Sequence, residues 1–98
     1  MNVSDRLVWR TISDFEILSR AWDDHAVVYH GGTNSTHLLE VEAHDLYLSL
    51  LESPATSTEL AKRIAESNGI EFDDVLQSYV DKVLYSLESI SLLEVERV

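Results

Sequence analysis

Four histidines, His25, His30, His37 and His44, crowd one short segment of the chain. Imidazole is the side chain best suited to hold a transition metal or to move a proton near neutral pH. A zinc site needs ligands that converge tetrahedrally, with hydrogen-bonded support behind them. A hairpin closing about Gly31–Ser35 would set His30 opposite Thr36 and His37 opposite Tyr29, sending the two imidazoles to opposite faces. No metal is therefore expected, and the histidines are read as partly exposed strand and helix-start residues.

The other chemistry-bearing patterns are as quickly answered by local structure. HGGTNST has the glycines of a phosphate-cradling loop, but such loops lead into a helix N-terminus and carry a lysine, whereas this one joins strand to strand. No serine lies in a G-x-S-x-G elbow, and no helix carries H-E-x-x-H. The acid pairs Asp23-Asp24 and Asp73-Asp74 stand where turns and helix caps want them, and catalytic carboxylates need a pocket that shifts their pKa. With no cysteine in the chain, disulfides, thiolate ligands and thiol nucleophiles are excluded. The expectation is a protein without catalytic residues or cofactor.

Charge narrows the partners. Eighteen acidic residues against seven basic give a net charge of −11. Nucleic-acid binding draws on Lys and Arg neutralising phosphates, and the cations here do not gather. Arg6, Arg10 and Arg20 precede the hairpin, Lys62 and Arg63 share a later helix, and Lys82 and Arg97 stand alone. No apolar run is long enough to span a membrane. The start, MNVSDRLVWR, lacks the apolar stretch of a secretory signal. A cytoplasmic location is expected, without nucleic acid or membrane as partner.

The elements that would position a site divide the chain in two. Phe15–Trp22 alternates, with Glu16, Leu18, Arg20 and Trp22 on one face and Ile17, Ser19 and Ala21 on the other. Asp23-Asp24 makes a turn, Ala26–His30 runs back, Gly31–Ser35 turns again, and Thr36–Glu40 returns. Thr36–Glu40 is then a sheet edge, unless the N-terminal LVWRTI pairs with it; both arrangements stay open here. Helical spacing follows in Ala43, Leu46, Tyr47, Leu50 and Leu51, stopped by Pro54. A capping box of Thr56 with Glu59 opens a second helix bearing Leu60, Ala61, Ile64 and Ala65, ended at Asn68-Gly69. Asp73 or Asp74 caps a third, whose Leu76, Val80, Val83, Leu84, Leu87 and Ile90 share one side, and Leu92-Leu93 folds back on the core. The fold class is α+β: a three-stranded antiparallel β-meander followed by three helices, winged-helix-like. Residues 1–98 make one domain, with 1–8 expected as a flexible lead-in.

Two consecutive helices with a short connection also describe a helix-turn-helix. A recognition helix presents Arg, Lys, Asn or Gln to base edges. The third helix offers Gln77 and Lys82 among Asp73, Asp74, Asp81 and Glu88, the wrong chemistry for DNA. If Asp81, Tyr85 and Glu88 face solvent, Tyr79, Lys82, Val83 and Ser86 line one shoulder of the apolar stripe. Where that shoulder borders Thr36, His37, Leu38, Leu39 and Glu40, it forms a groove with unpaired backbone groups along one wall. An extended peptide could add there as a further strand. Leu38 or Leu39, depending on register, would contact it together with Tyr79 and Val83, and Lys82 would meet an acid on the peptide. The competing occupants of the same edge are the N-terminal segment and a second copy of the chain in a homodimer.

The stretch RAWDDHAVVYHGGTNSTHLLEVEAHDLYLSLLESPATSTELAKRIAES and the later VLYSLESISLLE resemble the PqqD family, peptide chaperones also called precursor-peptide recognition elements. Trp22-Asp23-Asp24 and Thr36-His37-Leu38-Leu39 resemble most the subgroup associated with kinases related to HPr kinase. The resemblance runs from Trp9 onward, on motifs of moderate specificity. It implies three strands, then three helices, and a leader peptide bound as an added strand on the third strand against the third helix. It further implies presentation of that peptide to a modifying enzyme of natural-product biosynthesis, with an HPr-kinase-related protein as a further partner. The family's glycine before the final leucines is replaced here by Ile90-Ser91, which puts the helix end in doubt. The rival readings are a self-associating structural domain and a winged-helix DNA-binding regulator.

Overall fold

The computed structural model describes residues 7–97. Along the chain run β1 (Leu7–Thr11), β2 (Ile17–Ala21), β3 (His25–His30), β4 (Ser35–Glu40), α1 (Val41–Glu52), β5 (Ala55–Thr56), α2 (Ser57–Asn68), α3 (Asp74–Ser89) and β6 (Leu93–Arg97). The strands form two three-stranded sheets, β2-β3-β4 and β5-β1-β6. The first is the expected antiparallel meander, followed by the three expected helices, so the class is α+β.

The second sheet was not expected, and it answers where the N-terminal segment goes. LVWRTI does not lie on β4: Trp9 pairs with Ala55 on one side and with Val95 on the other. The first and last described strands, β1 and β6, are thus held together, with Arg10 also ion-paired to Glu96. Leu7 and Val8, expected in a flexible lead-in, belong to β1; the rest of that lead-in lies outside the described residues.

Between the sheets and helices sits one apolar core. Trp9, Val28, Leu46, Leu50, Leu60, Leu84, Leu87 and Leu92 are buried in it, and Ile17, Leu39, Leu76 and Ile90 pack on its margin. Full burial of such side chains stabilises by roughly 1.5–3 kcal/mol each. Leu51, grouped with the core stripe of α1 by spacing, is instead exposed. It lies in the last turn of α1, before Ser53-Pro54.

Helix ends follow local chemistry. Thr56 accepts from the Glu59 amide while the Glu59 carboxylate accepts from the Thr56 amide, completing the capping box. Of the two candidates for the start of α3, Asp73 is the cap, accepting from the Leu76 amide at 2.8 Å. Glu40 stands at the N-cap of α1 yet makes no side-chain cap bond. Gly69 takes the left-handed conformation (φ 64°) that ends α2.

Candidate functional site

β4 is an edge strand, and the direction of its backbone groups can be read from its neighbours. A strand residue sends its own N–H and C=O to one side, and successive residues alternate. The Trp22 amide donates to the His25 carbonyl and the Gly31 amide to the Glu16 carbonyl, so the odd-numbered residues of β3 bond toward β2. Its even-numbered residues therefore bond toward β4, where Ala26 pairs with Leu39, Val28 with His37 and His30 with Ser35. The Val41 amide, donating to the Asp24 carbonyl, continues the same parity. Thr36, Leu38 and Glu40 consequently turn their backbone groups to the outer edge. Among the described residues no strand pairs there.

Beside this edge runs α3, antiparallel to β4. The beginning of β4 lies by the end of α3, because His30, opposite Ser35, is bonded to Ser91. The end of β4 lies by Tyr79, whose ring feels the Glu42 and Glu40 carboxylates. Between the two elements is a groove of about 730 Å³. Thr36, His37, Leu38, Leu39 and Glu40 line one wall, and Tyr79, Lys82, Val83 and Ser86 the other. The nine residues expected to line the groove thus border one cavity. Ala43, Leu87, Ser89 and Ile90 line it too and were missed. The signal was present for three of them: Leu87 follows Val83, and Ser89 and Ile90 follow Ser86, at helical spacing.

The structure also fixes which leucine faces inward. Leu39 is half-buried against the core, whereas Leu38 is 71% exposed on the opposite face of the sheet. His37 shares the inner face and its Nε2 lies 3.1 Å from the Ser35 hydroxyl. On α3, Val83 is buried, Tyr79 is 37% exposed, and Lys82 and Ser86 are exposed. Burial first, then the Glu42 and Glu40 carboxylates, raises the Tyr79 phenol above its ordinary pKa, so it serves as a neutral donor or acceptor. Among the described residues Lys82 is in no ion pair. The shoulder geometry differs from expectation in one respect. Tyr85 is exposed, edge-on to Trp9, but Asp81 and Glu88 are half-buried, and Asp81 accepts from Ser57 and Gln77.

The histidines are not where the sequence reading put them. The turn is one residue shorter, Gly31–Asn34, so the register slips by one. His30 and His37 therefore share a face instead of opposing one another. Nor are all four partly exposed: His30 and His44 are buried. His44 Nε2 lies 3.0 Å from the Ser19 hydroxyl. His30 Nδ1 accepts from the Gly32 and Thr33 amides, which leaves the proton on Nε2 to donate to the Ser91 carbonyl. Among the described residues no three His, Asp or Glu side chains converge as metal ligands. None of the described helices is long and apolar enough to cross a membrane.

Comparison of the chain with protein-family models, with curated proteins and with solved structures finds no match.

Proposed function

We propose that this protein is a non-catalytic adaptor that binds an extended peptide by β-addition to β4. The observation that carries the reading is the outer edge of Thr36, Leu38 and Glu40, unpaired among the described residues and set beside the groove against α3. Main-chain hydrogen bonds supply affinity in this mode, and pockets for alternate side chains supply specificity. Residues of the incoming strand opposite His37 and Leu39 would face Val83 and Tyr79, and Lys82 would meet an acidic side chain. The resemblance to the PqqD family makes the ligand the leader segment of a ribosomally made precursor peptide, handed to a modifying enzyme, with an HPr-kinase-related protein as a further partner.

Titration of isotope-labelled protein with candidate leader peptides tests this by NMR. Amide shifts should gather on Ser35–Glu40 and on the groove side of α3. Shifts confined to other surfaces would reject the site. A second copy filling the edge is the rival, and the exposure of Leu38 beside that edge favours testing it. A stable dimer in sedimentation, dissociated by peptide, would assign the edge to self-association.

A further inference from the structure

Past the Glu40 end of the groove lies a second cleft, of about 290 Å³, between α1, α2 and α3. Its apolar walls are Leu46, Ile64 and Leu76, and Glu42 and Asp45 stand at its rim. Tyr79 lines both cavities, so the cleft continues the groove. Resting on the β-addition reading, we propose that this cleft seats a lysine or arginine side chain of the bound strand and thereby sets its register.

The shape and the charge favour the same occupant. Lys and Arg lay an apolar stem along hydrophobic surface while keeping the charged head in water. Here the stem meets Leu46, Ile64 and Leu76, and the head reaches the two carboxylates. Among the described residues neither Glu42 nor Asp45 is in an ion pair, and both are exposed. Glu40, which makes no cap bond to α1, adds a third carboxylate on the approach. Further along the groove stand Lys82, the His37 imidazole and the Ser86 and Ser89 hydroxyls, so the carboxylates gather at the Glu40 end.

Geometry then gives a spacing. An added strand turns every second side chain toward the groove. Two such positions lie opposite His37 and Leu39, and the next lies level with Val41, the residue before Glu42 of the cleft rim. The bound sequence is therefore apolar, any, apolar, any, basic, counted toward the Glu40 end.

A random dodecapeptide library displayed on phage and selected on the folded protein reads this pattern directly. The proposal expects enrichment of Lys or Arg two residues beyond a pair of alternating apolar positions. Selected peptides should weaken about fivefold on the E42Q/D45N variant, as expected for losing one or two exposed ion pairs. They should hold within about twofold on E52Q/E94Q, which removes the same charge elsewhere. Cations at no fixed position, or equal losses on both variants, would overturn the cleft while leaving the groove intact. If the same peptides bind Leu38→Pro unchanged, or none is selected at all, the edge reading falls and the cleft with it.

Discussion

His30 Nε2 donates to the carbonyl of Ser91 at 3.0 Å, joining the hairpin of β3 and β4 to the end of α3. These are the two walls of the groove, and this bond fixes their spacing at the Ser35 end. His30 is 1% exposed, and its Nδ1 is engaged by the Gly32 and Thr33 amides. Removing it leaves two amides and a carbonyl without that partner. His30→Ala should cost about 1–3 kcal/mol. A denaturant melt gives the loss, and amide exchange should rise at Gly32, Thr33 and Leu92 before it rises in the core.

Ser91 is itself in the left-handed region, with φ 64°. Its amide donates to Glu88 and that of Leu92 to Leu87, the paired bonds of a Schellman ending. The helix end is therefore kept in place at Ile90-Ser91, with serine holding a conformation that favours glycine. Ser91→Gly should raise stability by about 0.5–1 kcal/mol, the relief of αL strain less the entropy glycine loses on folding. A lower melting midpoint would contradict this.

The capping box of α2 sets an acid dependence. Bonds from the Thr56 backbone and side chain hold the Glu59 carboxyl below its ordinary pKa. A carboxyl depressed on folding contributes stability above its unfolded pKa and loses it as pH falls through the folded value. Glu59 is largely solvated, so the contribution is small. Thr56→Ala should cost about 1 kcal/mol near neutral pH. The gap from wild type should narrow only slightly below the ordinary carboxylate range, measured by thermal melts across pH, because the backbone amide at position 56 still donates to Glu59 in the variant.

Much of this arrangement was legible in the chain, and the failures have definite causes. Alternation in FEILSRAW, the GGTNS turn and the apolar stripes of the helices are local signals, and the meander and three helices follow from them. The β5-β1-β6 sheet was not readable, because β5 is two residues long and β1 meets β6 across almost the whole chain. The register slip came from Asn34, which adopts φ 56° and closes the turn one residue early, braced by the Tyr29 hydroxyl at 2.7 Å. Asparagine tolerates that conformation but does not require it, so the sequence left both lengths open. Burial of His44 depends on Ser19, 25 residues away, and no local pattern reports it. That Thr36–Glu40 and Tyr79, Lys82, Val83 and Ser86 border one groove was legible, because helical spacing and strand order place them together. Which of Leu38 and Leu39 turns inward was not, since that needs the register.

The most direct test of β-addition compares two prolines on adjacent residues of β4. Leu38 sends its amide to the free edge, so Leu38→Pro removes a donor offered to an incoming strand and none bonded to β3. Leu39 bonds inward to Ala26, so Leu39→Pro should break the sheet itself. With a peptide selected on the wild-type protein, the account predicts a folded Leu38→Pro variant, judged by its amide spectrum, with binding weakened at least about tenfold. A folded Leu38→Pro protein that binds with undiminished affinity would contradict it.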